Sequence, residues 1–345
     1  MAKDRLRGKV VIFSRPKKAE IRKDVLLPPV DENTVVIKTK YSGISRGTEM
    51  DLYHDQMHKV LGNTQWYPMI PGYEPVGEVI EVGKNVKHLK KGDRAATSNL
   101  FAGYDKNYCI AWGGQAEYIV VNYISHPYRG PERVVRIPEE VSYQEAALSV
   151  LAGVALHGIE KVEVKDKDTV MVIGQGVVGM CSAQIASSYG ARVIVSDLYD
   201  FRLNISKKAG IDKVINAQKE NQLDKVLELT KEQGPDIVIE TTGEAENLHL
   251  ALKMVKENGK VHAQGMYLEP IVLYIPDTLF IKNLSLSSSC GEMPEQQIRV
   301  LDMIAKGKIK AKEMISKVMS VDEAPLAYEL VHKSPDEILK IVLSW

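Results

Sequence analysis

The chain has little cysteine. Cys109, Cys181 and Cys290 are its only three, far apart and never in a CxxC pair. That excludes a disulfide framework and predicts a reducing, cytoplasmic setting. Net charge is missing too. Forty-five lysines and arginines balance forty-five aspartates and glutamates, so the broad basic footprint of a nucleic-acid partner is absent. No apolar run reaches the length of a membrane span. The opening "MAKDRLRGKVVIFSRPKK" is charged and lacks the apolar centre of a signal peptide. Neither internal repeats nor low-complexity segments occur. What remains is a soluble chain of 345 residues, enough for two domains.

The texture changes near Tyr143. Before it, "KVVIF", "TVVIKTKYSGI", "GEVIEVG", "AEYIVV" and "RVVRIP" are β-branched runs broken by turn residues. Two long, loosely patterned stretches, Gly47 to Met69 and Ser98 to Trp112, read as functional or mobile loops. After it, Ser142 and Glu145 form a capping box ahead of an apolar helical stripe. Strands then alternate with amphipathic helices from "DTVMVIG" to "KVHAQG", which predicts parallel βαβ units. Beyond "NLSLSSS" come a helix, a short strand, a second helix around "VDEAPLAYELVHKS" and a last strand, "ILKIVLSW". The expected domains are residues 1–149 with 289–345, and residues 150–288.

"VMVIGQGVVG" carries Gly174, Gly176 and Gly179 in GxGxxG spacing. The motif follows a strand, opens a helix and precedes "ARVIVSD", which ends in Asp197. In that context the three glycines serve, in order, a tight turn, a close approach to pyrophosphate, and helix–strand packing. The helix start, with Val178 in its first turn, offers free N–H groups and a positive dipole end to phosphate. Asp197 suits both ribose hydroxyls and would repel a 2′-phosphate, so NAD is the expected cofactor. Arg202 either stacks on adenine or accommodates a phosphate. Later strand ends contribute Thr242, Gly265 and Ser289, the last with Ser287 and Ser288 toward a nicotinamide carboxamide.

Several motifs together resemble the medium-chain dehydrogenase/reductase superfamily over essentially the whole chain. They are "GYEPVGEVIEVGKNVKHLKKGDRA", "GGQAEYIVV", "GPDIVIETTG" and "SVDEAPLAYELVHKSPDEILKIVL". The resemblance implies an α/β fold: a GroES-like β-rich catalytic domain plus a Rossmann doubly wound parallel-sheet domain. It also implies a homodimer or dimer of dimers, with the strand near "IKNLSLSSS" extending the sheet across a two-fold axis. Zinc-type relatives hold a catalytic metal through "GIC" and "GHE". Here those motifs read "GIS" with Ser45 and "GYE" with Tyr73, and the four-cysteine structural lobe retains only Cys109. Serine and tyrosine are poor zinc ligands at neutral pH, so no metal is expected. "SGISRGTE" with "PGYE" is similar to the group that includes the bacteriochlorophyllide hydroxyethyl dehydrogenase, a resemblance that implies chemistry on a secondary alcohol. Because "ISRGTE" is one residue longer than "ICGTD", either Ser45 or Arg46 takes the cysteine's place.

Without metal, hydride transfer from an alcohol needs a donor aimed at the developing oxyanion and a proton acceptor. Tyr73 is the first candidate donor, or else it fills the volume that metal and histidine vacate. Arg46 is a candidate cation to lower the phenol's pKa, or a pyrophosphate ligand. Ser45 is a candidate bridge, and Glu74 an orienting group or terminal acceptor; Glu49 shares that balance. His54 and His58 read as solvated loop residues, and His157 as a satisfied interdomain histidine. Trp66, Tyr67, Tyr104, Tyr108 and Trp112 are candidate pocket aromatics. The expected activity is zinc-independent, NAD(H)-linked interconversion of a secondary alcohol (a polyol, sugar or cyclitol) and its ketone. Two alternatives stand beside it: an NADPH quinone or enoyl reductase, and an enzyme retaining NAD for transient oxidation in epimerisation or elimination.

Overall fold

The computed structural model describes residues 7–62, 66–98, 105–121 and 133–345. They divide into two compact units. The first joins residues up to Val150 with Met293–Ala305 and Ile315–Trp345; the second is Leu151–Glu292 with Lys306–Met314. The return into the first unit thus falls at 293, and a short segment rejoins the second. That segment is anchored there because the Lys310 backbone N–H donates to Gln184 Oε1 at 2.8 Å.

In the first unit the strands are β1 (Arg7–Arg15), β2 (Lys18–Leu26), β3 (Val35–Ile44), β4 (Met69–Ile70), β5 (Pro75–Val82), β6 (Arg94–Ala96), β7 (Cys109–Ile110), β8 (Tyr118–Val121) and β9 (Val135–Arg136). Helices α1 (Thr48–Tyr53), α2 (His58–Leu61) and α3 (Tyr143–Ala146) are interspersed, and α4 (Ser149–Val162) leads into the second unit, which begins at Leu151. One sheet runs β2-β1-β4-β7. Val10, Ile12, Val35, Ile37, Val79 and Ile119 share one buried cluster, the alternating inward faces of these β-branched strands. The long stretch after Gly47 is not all loop. Helix α1 forms there because Met50, Leu52 and Tyr53 all bury. The expected capping box is present at α3, where Ser142 Oγ accepts from the Glu145 N–H.

The second unit alternates β10 (Thr169–Ile173), α5 (Val177–Ser188), β11 (Arg192–Asp197), α6 (Asp200–Lys208), β12 (Lys213–Asn216), α7 (Gln222–Leu229), β13 (Ile237–Glu240), α8 (Ala245–Met254), β14 (Lys260–Ala263) and β15 (Ser285–Ser288). All strand pairs are parallel, in the order β12-β11-β10-β13-β14-β15. Strand β10 is buried at every residue, as a central strand covered on both faces must be. The chain reverses direction across the sheet between β10 and β13, which is where a doubly wound sheet opens its ligand crevice.

Then follow α9 (Pro294–Ala305), α10 (Ala311–Met314), β16 (Lys317–Ser320), α11 (Ala324–Lys333) and β17 (Ile341–Ser344). Strand β17 pairs antiparallel with β3, Ile341 against Ile44, and completes the order β16-β17-β3-β5-β6-β9, with β8 also on β3. This register sets the chain just before β17 beside the loop that leaves β3. No helix among the described residues is long and apolar enough to cross a membrane.

Candidate active site

The candidate dinucleotide residues lie in the second unit. Gly174 takes φ +90°, a left-handed turn that leaves its N–H donating to Ser196 O at 2.9 Å. A Cβ on Gly179 would stand 1.9 Å from Gly174 O, so only glycine lets α5 start this close to β10. Gly176 is the N-cap of α5, with no side-chain cap and open space around a built Cβ. The first N–H groups of α5, Val178 included, therefore have no side-chain partner at the cap, as a phosphate cradle requires.

Asp197 ends β11 with little exposure and accepts from the N–H groups of Gln175 at 2.7 Å and Tyr199 at 3.0 Å. Arg202 pairs with it at 3.4 Å and lies 5.0 Å over the Tyr199 ring. Thr242 follows β13, where its N–H donates to Glu240 Oε1 at 2.7 Å. Gly265 follows β14 and backs onto Gly243, where a Cβ would meet the Gly243 nitrogen at 2.1 Å. Ser289 follows β15, its hydroxyl against His262. These positions share the carboxyl edge of one sheet, and an open helix start beside a carboxylate fits a dinucleotide.

The polar cluster of the first unit forms where β3, β5 and β17 converge. Tyr73 donates its hydroxyl to Ser45 Oγ, and the Thr48 side chain hydrogen-bonds the same phenol. Burial, followed by the charge of Glu74, pushes the Tyr73 phenol well above its ordinary range. That is opposite to the lowering expected from Arg46, whose guanidinium instead donates to Ile338 O at 3.1 Å. The cation of this cluster is Lys340. Its ammonium donates to both oxygens of Glu74, at 2.6 and 2.7 Å, with both residues about 1% exposed. Gly43 makes room for the pair: a Cβ there would lie 2.8 Å from Glu74 Oε2 and from Lys340 Cε. Burial still pushes the Glu74 carboxyl up, against the pull of the ammonium.

Glu49 is fully buried in the first turn of α1. It accepts from the Ser45 N–H at 2.9 Å, from Gln115 Nε2 at 3.1 Å and from the Tyr328 hydroxyl. Burial raises its carboxyl to about 7 despite those donors, and the Glu74 charge adds to the rise. Gln115 in turn accepts from Ser42 Oγ at 2.6 Å, and Ser42 Oγ accepts from the Trp345 indole at 2.7 Å. The sequence reading misses Thr48, Lys340, Tyr328 and Gln115. A lone lysine inside "ILKIVLSW" was the available signal, since a cation in an apolar strand needs a buried partner.

Other candidates fall elsewhere. The His54 and His58 pair does not share a helix; the His54 ring instead meets His332 of α11 at 3.0 Å. His157 Nδ1 lies 3.0 Å from Gly291 O, both within the second unit rather than between units. Trp112 packs edge-on against Tyr73, with 5.7 Å between ring centroids. Tyr67 donates to Leu52 O, Tyr108 packs on the β-rich core, and Trp66 is exposed. Tyr104 lies outside the described residues.

Residues 31–127 match the alcohol dehydrogenase GroES-like domain, and residues 177–306 match the zinc-binding dehydrogenase family. The chain has the two domains of a medium-chain dehydrogenase/reductase. The D-arabitol-phosphate dehydrogenase of Enterococcus avium is 26% identical over 323 residues, covering 89% of each chain. An alcohol dehydrogenase of Geobacillus stearothermophilus is 27% identical over 325 residues, 88% of this chain and 90% of its own. Galactitol-1-phosphate dehydrogenase from Escherichia coli superposes with a TM-score of 0.82 at 20% identity, over 98% of this chain and all of its own (100%). That likeness speaks for the fold.

The zinc implied by the zinc-binding dehydrogenase family finds a poor donor set in this chain. The Ser45 and Tyr73 hydroxyls bond each other, and Glu74 is committed to an ammonium. Among the described residues no three His, Cys, Asp or Glu side chains converge on a point that could hold a metal. These residues do not fit zinc.

Two measurements check the cluster. Lys340→Met leaves Glu74 buried without its counter-ion and should cost about 3–5 kcal/mol in urea unfolding; adding Glu74→Gln should recover much of that. Glu49, raised to about 7 when folded against an ordinary 4.5, keeps its proton after the unfolded chain has lost its own. Its contribution to stability is therefore present below pH 4.5 and lost as pH rises through 7. Melting temperatures of wild type should fall relative to Glu49→Gln between pH 5 and pH 7 (roughly, from the linkage relation), then run parallel.

Proposed function

We propose that this chain is an NAD(H)-dependent oxidoreductase that interconverts a secondary alcohol of the polyol class and its ketone without a catalytic metal. The observation that carries the reading is the Tyr73–Ser45 hydroxyl pair, standing where "GHE" and "GIC" of zinc-type relatives supply ligands. Polyols are favoured by the relatives: besides D-arabitol-phosphate dehydrogenase, the sorbitol dehydrogenase of Halalkalibacterium halodurans is 24% identical over 328 residues, 92% of this chain and 93% of its own. NAD rather than NADP is favoured by Asp197, whose carboxylate accepts ribose hydroxyls and repels a 2′-phosphate.

Bound NAD supplies the hydride acceptor. What the protein must then handle is the hydroxyl proton. Tyr73, with its pKa raised, remains a phenol at neutral pH and acts as a donor to the carbonyl or alkoxide oxygen. The phenol has one hydrogen, so Tyr73 turns it from Ser45 Oγ to the substrate oxygen during reduction and takes another from the Ser45 or Thr48 hydroxyl, which solvent replenishes. In the oxidative direction the alcohol's proton leaves through the same hydroxyls to solvent. Glu49 holds the Ser45 backbone, and Glu74 is neutralised by Lys340, so neither carboxylate competes for the substrate oxygen.

A second copy is the proposed partner. Strand β15 is the edge of the parallel sheet, and near it Val272 and Phe280 are 83% and 78% exposed, with Tyr274 and Ile281 beside them. An apolar patch next to an unpaired strand edge suits pairing across a two-fold axis. Sedimentation should give a dimer at micromolar concentration and a monomer for Phe280→Glu; a monomeric wild type would sink the proposal.

The functional test is turnover of a polyol panel with NAD and NADP in the presence of a strong chelator. Turnover should persist and favour NAD. Inactivation that zinc alone reverses would refute the metal-free reading. Tyr73→Phe should lose about 100-fold in kcat while binding NADH normally; wild-type turnover in that variant would make Tyr73 a space-filler.

A further inference from the structure

Ser287 of β15 and Ser289 just beyond it converge on one imidazole. His262, on β14, has no exposed surface. Its Nδ1 lies 2.9 Å from Ser287 Oγ, and its Nε2 lies 3.0 Å from Gln264 Oε1 and 3.1 Å from Ser289 Oγ. An amide oxygen faces Nε2, so that nitrogen carries the hydrogen and Nδ1 accepts from Ser287. Burial pushes the ring's pKa down to about 4, with the His157 and Lys161 charges adding to the fall. The ring is therefore neutral at physiological pH and holds a single tautomer.

One side chain thus ties the carboxyl ends of two parallel strands together. Helix α4 closes over the arrangement. A Cβ on Gly158 would stand 1.9 Å from Gln264 Oε1 and 2.9 Å from His262 Nε2, so only a hydrogen fits there. Every member of the cluster belongs to the second unit.

The sheet order says which end of a dinucleotide this cluster meets. The glycine turn follows β10, and Asp197 ends β11, so the adenosine half lies on the β11 side. The other half must cross the switch point toward the ends of β13, β14 and β15. Gln264 and Ser289 stand at those ends.

We infer that His262 is a positioning residue for the nicotinamide, holding Gln264 and Ser289 in one orientation so that the strand ends can grip the carboxamide. This rests on the NAD reading above. It accounts for three polar side chains that would otherwise be free to rotate at the sheet edge, and it gives a buried histidine a role without contact with the reacting atoms.

Binding of two probes tests it without turnover. NADH carries the nicotinamide; ADP-ribose carries the adenosine, the pyrophosphate and both riboses but lacks the ring. By titration calorimetry, His262→Ala should weaken NADH about tenfold and leave ADP-ribose unchanged. His262→Gln, which restores a donor toward Gln264 and Ser289, should recover part of the loss. If His262→Ala does not fold, Ser289→Ala should show the same NADH-selective loss on a smaller scale. Equal weakening of both probes, or of neither, overturns the inference while leaving the NAD reading intact. Failure of wild type to bind ADP-ribose overturns both.

Discussion

The buried ion pair between Lys340 and Glu74 is the constraint around which the first unit is arranged. Two opposite charges about 1% exposed are tolerable only as a pair, because either alone would face a large desolvation penalty. The pair fixes the residue before β17 against the residue before β5, and Gly43 of β3 is small because both side chains pass over it. Three strands are thereby held at one point. The hydroxyls of Ser45 and Tyr73 stand beside that point, and their geometry is inherited from it.

The proposed metal-free reading draws on the same arrangement. A cation is retained, but as an ammonium that is fully engaged by a carboxylate. In the proposed reading, a substrate meets a set of neutral hydroxyls, Ser45, Thr48 and Tyr73, with the carboxylate of Glu49 turned to the backbone and to Tyr328. Such a set donates and relays protons but does not polarise a carbonyl as a divalent ion does.

Much of this was legible in the residues. Alternating strands and helices after Tyr143 announced the parallel sheet, and the glycine spacing with Asp197 marked the sheet edge now proposed for the dinucleotide, because those signals are local. The first unit was harder. Helix α1 hid in a stretch of mixed polarity, since only the buried side of a short helix shows a pattern, and here it is Glu49, Met50, Leu52 and Tyr53. Lys340 and His262 were invisible as partners. Their contacts span 266 residues in one case and join adjacent parallel strands in the other, and no local pattern encodes either. Each is nevertheless a polar residue inside an apolar strand run, and that anomaly marks a partner to be found.

The chain passes between the two units more than once, and the order in which it is made gives that fact a meaning. Glu74 is synthesised 266 residues before the ammonium that neutralises it. Through that interval its carboxylate belongs in water, and β3 lacks the antiparallel neighbour that β17 provides. The parallel sheet, by contrast, is complete once β15 has been made. During biosynthesis the middle of this protein can therefore reach its native packing first, while its beginning waits for its end.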